Sequence, residues 1–216
     1  MRESRKVPVL DHVYVELVDW MGDDLKVANA ARMSLGKRHD EFTESDARLI
    51  RELGQHYNER KGHSTPFRHC SLTFNIKWPI FVARQGMRHN IGITWNEKSL
   101  RWTSSKPEFW MPTKAHKRME DVYNECAFSY EAMLEDGVPP EIARVVLPLA
   151  TYTEVMVTMT LEALAWWLHL RHDFHAQAQI QEYAIAILPL AGHLFPISLA
   201  ALLDIDERCF EEEDDE

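Results

Sequence analysis

The sequence predicts an α+β fold in a single domain. Three observations carry the prediction. Short runs at 13–20, 71–78 and 151–160 have strand composition or period-two alternation, while longer stretches with helical periodicity fill the second half. No repeat, low-complexity linker or Pro/Gly/Ser-rich hinge divides the chain. Its 216 residues, 45% hydrophobic and 27% charged, are enough for one sizeable core.

The elements follow in order. "VYVELVDW" (13–20) is β-branched and aromatic and reads as a strand, and "DDLKVANAARMS" reads as a helix. A basic loop, "LGKRHD", comes next. "TESDARLIRELGQHYNER" opens on Thr43 three residues before Asp46, a capping-box-like start, and sets Ala47, Leu49, Ile50 and Leu53 on one helical face. In "SLTFNIKW" Leu72, Phe74 and Ile76 alternate with Thr73, Asn75 and Lys77, the pattern of a half-buried strand, and Pro79 opens a helix through Arg88. Residues 91–95, with Gly92, read as a loop. A long amphipathic helix is predicted near 115–136, a Pro-Pro start at 139 and a strand at 151–160. A helical run then extends from Leu161 toward Leu194, broken at 172–174 and bent near Pro189, with Leu161, Leu164, Trp167 and Leu168 as core.

Charge and cysteine content bound the function. The net charge is −10, and six of the acids form the terminal run Glu211–Glu216, which reads as a solvated tail on a domain of residues 1–210. An acidic chain of this kind is not a general binder of nucleic-acid polymers. Cys70, Cys126 and Cys209 are odd in number and widely spaced, which suits free thiols in a reducing compartment. There is no signal-peptide pattern and no apolar run of the roughly 20 residues that a membrane-spanning helix needs. The expected location is the cytoplasm.

One stretch stands out: "RHNIGITWNEKSLRW", residues 88–102, concentrates cations and aromatic rings in an acidic chain. Glu97, Ser99 and Arg101 alternate, so an extended backbone would project an acceptor, a hydroxyl and a guanidinium toward one ligand. Such a set suits a phosphorylated sugar, although fortuitous alternation in an exposed loop is the bland alternative. Ser99 has no His or Asp placed by sequence to activate it, so it reads as a ligand contact rather than a nucleophile. His169, His172 and His175 recur every three residues, but the third would leave the shared helical face, and no metal site is assigned.

Six segments in order, "AARMS" (30–34), "GHSTPFRHCSLTF" (62–74), "FVARQGMRH" (81–89), "NEKSLRW" (96–102), "ARVVLPLATYT" (143–153) and "LRHDFHAQAQIQEYA" (170–184), make the chain resemble the flavin-dependent thymidylate synthases. The resemblance implies a central, mostly antiparallel sheet flanked by long helices. It also implies a homotetramer with shared active sites. The implied activity is a methyltransferase reaction, from methylenetetrahydrofolate to C5 of dUMP, through FAD recharged by NADPH. By matching position it implies that Gln85, Arg88, Glu97, Ser99, Leu100, Arg101, Arg144 and Arg171 bind dUMP, with Arg171 polarising the uracil ring as the catalytic residue. For FAD it implies Ser34, Thr65, Arg88, His89, Asn90, Asn96, Glu97 and His175, and for folate His63.

The flavin side departs from the family pattern. Asn90 stands where the signature has a second Arg, with one extra residue before "NE". Arg68 replaces an acid, Thr160-Leu161-Glu162 replaces Asn-x-Arg, and Trp166 replaces an Asn. Arg68 and Glu162 read either as a compensating swap or as a sign of altered flavin binding. Reductive methylation is the expected chemistry. A pyrimidine deoxynucleotide hydroxymethylase acting on dUMP or dCMP is the alternative, and a nucleotide-sensing protein on the same fold is a non-enzymatic one.

Overall fold

The computed structural model describes residues 5–101 and 106–210. The acidic tail at 211–216 and the signature's Trp102 lie outside the described residues. Five strands, β1 (Arg5–Val9), β2 (Val13–Met21), β3 (Ser71–Pro79), β4 (Ile93–Glu97) and β5 (Tyr152–Thr160), form one sheet in the order β1-β2-β3-β5-β4. Every neighbouring pair is antiparallel. The central pair β3 and β5 runs in register from Ser71 opposite Thr160 to Pro79 opposite Tyr152.

The helices are α1 (Asp24–Arg32), α2 (Glu44–Asn58), α3 (Ile80–Gly86), α4 (Lys117–Glu135), α5 (Pro140–Ala143), α6 (Leu161–Arg171), α7 (Ala178–Gly192) and α8 (Pro196–Leu203). Local chemistry explains several starts. Asp23 accepts from the Lys26 amide to cap α1, and Thr43 with Asp46 forms the capping box of α2. At the start of α6, Thr160 Oγ1 accepts from the Ala163 amide. Buried Asp24 accepts from the amides of Ile197 and Ser198, so α1 caps the first turn of α8.

Leu72, Phe74 and Ile76 of β3 and Val155, Val157 and Met159 of β5 point inward and are essentially inaccessible. With them are buried Leu161, Leu164, Trp167 and Leu168, the core predicted for α6. Trp78 packs edge-on against Tyr183 of α7, their ring centroids 5.7 Å apart.

Two strands differ from the sequence reading. Residues 93–97, read as loop, form the edge strand β4, and β1 was not anticipated because Pro8 interrupts its pattern. The helix from Pro79 stops at Gly86, two residues before the predicted Arg88. The Pro-Pro start at 139 yields only the single turn of α5 before a tighter turn, Arg144–Val146.

Candidate functional site

The sheet topology brings α3 and α6 together. Because β3 and β5 are antiparallel, α3 leaves the sheet after Pro79 and α6 leaves it after Thr160, at opposite ends. Their lengths, about 10 Å and about 16 Å, together approach the roughly 30 Å of a nine-residue strand, so two helices returning over the same face meet tip to tip. The contacts at the meeting point are specific. Trp167 Nε1 donates to the Gly86 carbonyl at 3.2 Å, and Arg171 Nη2 donates to the Gln85 carbonyl at 2.7 Å. Side chains of α6 thereby satisfy carbonyls in the last turn of α3, and cations collect where both helix dipoles are negative.

Gly86 is required at this junction. A Cβ there would lie 2.5 Å from the buried ring of Trp78.

Around that junction lie Gln85, Arg88, His89 and Arg171. The Gln85 amide donates to Gln177 Oε1 at 2.6 Å, which fixes the residue from the start of α7. His89 Nε2 is 3.3 Å from Arg171 Nη2, and the His89 carbonyl accepts from Trp95 Nε1 at 3.0 Å. Trp95 itself stacks on Trp78. Burial, then repulsion from Arg88, lowers the pKa of Arg171 from the ordinary guanidinium value. Burial, then the Arg171 charge, pushes the His89 imidazole below its usual range, which favours the neutral ring. Neither Arg88 nor Arg171 has a carboxylate partner among the described residues, and Arg171 Nε is buried without a hydrogen-bond acceptor. Two neighbouring cations without a carboxylate partner among the described residues leave positive charge here that an anion would offset.

Beside this cluster a hollow of about 340 Å³ is lined by Arg88, His89, Asn90, Ile93, Ala163 and Trp166. Trp166 is 47% exposed, and its ring stacks on His169 at an interplanar angle of 19°. Gly92, with φ of 72°, turns the chain between Ile91 and Ile93, which both line the hollow, and its carbonyl accepts from the Thr160 amide. Arg68 and Glu162 form a two-pronged ion pair, with Arg68 Nη2 3.1 Å from Glu162 Oε1 and the Nε contact to Oε2 completing it. The two charges therefore neutralise each other in the folded chain.

The other nucleotide candidates occupy a second neighbourhood. Exposed Glu97 shares a strand face with Ile93 and Trp95, and its carboxylate accepts from the Thr153 hydroxyl at 2.8 Å. The predicted alternation of Glu97, Ser99 and Arg101 does not occur. The strand ends at Glu97, residues 100 and 101 turn, and the Arg101 amide donates back to Ser99 Oγ at 3.2 Å. Arg101 pairs with Glu141 of α5 at 2.7 Å. Exposed Arg144 begins the turn just after that helix. Leu100 lines a small cleft with Lys77, Lys98 and Tyr152.

The remaining flavin and folate candidates do not line the Trp166 hollow. Asn96 projects to the sheet face opposite Glu97. Exposed Ser34 donates to the Ala31 carbonyl, and Thr65 starts the turn Thr65–His69. His63 has a left-handed backbone and leans on the His56 ring. His175 bonds Asp173 in the segment after α6. That helix ends at Arg171, so His169, His172 and His175 do not share one helix, and no metal-ligating group of three was found among the described residues.

Sequence reading missed three supports: Trp95, Gln177 and Thr153. Trp95 was visible as an aromatic in the signature, but its partner, the His89 carbonyl, has no side-chain signal. No helix of the described residues is long and apolar enough to cross a membrane.

Residues 16–197 match the family described as "Thymidylate synthase complementing protein". The chain is 41% identical over 211 residues to a protein of Thermotoga neapolitana named flavin-dependent thymidylate synthase, covering 92% of this chain and 94% of that one. A protein of the same name from Thermosipho melanesiensis is 39% identical over 223 residues, covering 93% and 94%. Among solved structures, the UMP/dUMP methylase PolB from Streptomyces cacaoi, bound with 5-Br dUMP, superposes with a TM-score of 0.81 at 28% identity, over 93% of this chain and 99% of that one.

Proposed function

The chain belongs to the flavin-dependent thymidylate synthase family, and from that premise we propose that it transfers a one-carbon unit from methylenetetrahydrofolate to C5 of dUMP and delivers it as methyl, giving dTMP. The observation that carries the nucleotide site is the Arg88 and Arg171 pair, near enough to repel and without carboxylate partners among the described residues. An anionic pyrimidine nucleotide relieves the repulsion.

Uracil C5 is a weak carbon nucleophile. A guanidinium held beside a ring carbonyl stabilises the negative charge that spreads over the ring as C5 attacks the methylene carbon. Hanging Arg171 on the Gln85 carbonyl fixes that donor beforehand, so little reorganisation is needed at the moment of reaction. Gln85 is itself fixed by Gln177 and orients the same nucleotide. In this reading Arg101 and Arg144 hold the phosphate, with Glu97, Ser99 and Leu100 around the sugar and base.

The hollow beside Trp166 fits a flat ring with a polar edge. Ile93, Ala163 and Trp166 form an apolar wall, and Arg88, His89 and Asn90 supply donors and acceptors along it. These residues would hold FAD, with Ser34, Thr65, Asn96 and His175 completing its contacts and His63 meeting the folate. FAD, recharged by NADPH, supplies the reducing equivalents that convert methylene to methyl. The flavin-dependent relatives favour this over hydroxymethyl transfer.

The assembly that goes with this reading is a homotetramer in which different copies contribute the two neighbourhoods of nucleotide residues. Exposed Phe128, Ile142, Val145 and Leu149, clustered by sequence around α4 and α5, support such an interface. Sedimentation analysis tests it.

The reaction is tested by supplying dUMP, methylenetetrahydrofolate and NADPH and identifying the nucleotide product by mass. A methylated product that depends on bound flavin is expected. A hydroxymethylated product from flavin-free protein overturns the reductive step, and turnover of dCMP in place of dUMP overturns the substrate.

A further inference from the structure

The basic loop between α1 and α2 has no part in the chemistry above, yet the fold holds it firmly. Asn29 clamps the backbone of His39 from both sides: its amide donates to the His39 carbonyl at 2.8 Å, and its Oδ1 accepts from the His39 amide at 2.8 Å. The His39 ring reaches Asp46 Oδ2 at 3.1 Å. Asp46 is fully buried and is also held by Arg32 and by the Thr43 amide and hydroxyl. Burial opposes ionisation of Asp46, but the hydrogen bonds from Thr43 and His39 and the Arg32 charge outweigh it and hold its pKa at about 2. A fixed negative charge thus anchors the loop at all working pH values.

The anchored loop borders a hollow of about 590 Å³. Four basic side chains line it: Lys26 from α1, Lys37 and Arg38 from the loop, and His69 from the turn that Thr65 begins. Lys26, Lys37 and His69 have no ion pair among the described residues, and Arg38 has only a 4.0 Å approach to Asp40 with both side chains largely in solvent. The lining acid is Asp23, whose Oδ1 already accepts from the Lys26 amide as the cap of α1. Leu25 and Met33 give the hollow an apolar flank. In a chain of net charge −10, three cations and an imidazole around one cavity with so little acid beside them make a local reversal of sign. Met33 and His69 belong to the two turns that carry Ser34 and Thr65, so the hollow adjoins the proposed cofactor residues along the chain.

We propose that this hollow binds the anionic arm of a small co-substrate, with Lys26, Lys37, Arg38 and His69 neutralising its phosphates or carboxylates. The inference rests on the reaction proposed above, which involves two co-substrates with such an arm: the phosphates of NADPH and the glutamate tail of the folate. The shared chemistry is a multiply charged anion on a flexible organic stem. Its volume falls within the range of about 300–1,000 Å³ usual for small-molecule sites.

The test is calorimetric titration of flavin-loaded protein with 2′,5′-ADP and, separately, with tri-γ-glutamate, in the wild type and in the double variant Lys37→Glu/Arg38→Glu. Both positions are exposed, so the substitutions do not disturb the core, and dUMP affinity measured in parallel reports on the nucleotide site. One probe should bind, weaken as salt is raised, and lose about tenfold or more in affinity in the variant. Loss confined to 2′,5′-ADP assigns the hollow to the reductant, and loss confined to tri-γ-glutamate assigns it to the folate. Retained dUMP binding with neither probe binding, or with equal affinities in wild type and variant, overturns this inference and leaves the proposed reaction standing. Absence of dUMP binding in the wild type counts against the reaction itself.

Discussion

Arg171 and Gln85, 86 positions apart, are joined by a 2.7 Å hydrogen bond from the Arg171 guanidinium to the Gln85 carbonyl. The bond fixes the guanidinium at the tip of α3, where Arg88 and His89 also lie. Replacing Arg171 with Ala therefore removes a preorganised cation and leaves a carbonyl less satisfied. Turnover should fall by the equivalent of about 2–4 kcal/mol of transition-state stabilisation, the range for loss of one oxyanion-type donor. Arg171→Lys should recover only part, because an ammonium cannot bond the carbonyl and the nucleotide with the same planar fork. Measuring kcat and dUMP Kd for both variants checks this. Normal turnover by Arg171→Ala would remove the residue from the mechanism.

His89 should titrate below the ordinary histidine value, because burial and the Arg171 charge both disfavour its protonated form. The unfolded chain takes up this proton near pH 6.5 and the folded chain resists it. Stability from the neutral ring is therefore full above about pH 6.5 and is lost as pH falls through the folded pKa. NMR titration should show the His89 pKa rising in Arg171→Met. An unmoved midpoint would assign the whole shift to burial.

Reversing either half of the Arg68 and Glu162 pair should weaken flavin retention, and reversing both should restore it. The stability cost of each single change is modest, about 0.5–1 kcal/mol, because the Arg68 side chain is 56% exposed and solvent screens the pair. Flavin fluorescence titration of Arg68→Glu, Glu162→Arg and the double variant separates the terms. Additive losses would show that the two residues act independently.

Gly92→Ala should lower the melting temperature and reduce flavin affinity together. Its backbone is left-handed, and a Cβ would lie 2.7 Å from Thr160 Oγ1 and 3.0 Å from the Ala163 side chain. The expected cost is about 1–3 kcal/mol. A wild-type melting curve would mean that the turn at Gly92 relaxes at no cost.

Much of this architecture was legible in the chain. The period-two alternation of Leu72, Phe74 and Ile76 located β3, and Thr43 with Asp46 located the start of α2, because both signals are local. The strand β4 was misread because Gly92 and its polar neighbours look like a loop when the partner strand β5 is some sixty residues away. The same distance problem hid the site. Gln85, Arg88 and Arg171 were identifiable as ligand-binding types, but that Gln85 and Arg171 touch depends on two helices meeting over an antiparallel pair. The alternation of Glu97, Ser99 and Arg101 misled for the opposite reason: a local pattern assumed an extended backbone beyond the point where pairing with β5 stops. The Arg68 and Glu162 pair could be posed as a question from sequence, but only the packing of the 65–69 turn near the start of α6 answered it.

The in-register pairing of β3 with β5 also sets the order of events during synthesis. A ribosome that has released Gln85 and Arg88 has delivered half of the proposed anion site, with Trp78 and the inner face of β3 not yet covered by β5 and α7. Neither β5 nor Arg171 exists until roughly seventy to ninety more residues have emerged, about 4–18 s later at ordinary elongation rates. The nascent chain passes that interval with a central strand that lacks one neighbour, and nucleotide cannot stabilise it because the cation that completes the site arrives last. Ligand rescue of a slow or destabilised variant is therefore confined to chains in which Arg171 has emerged.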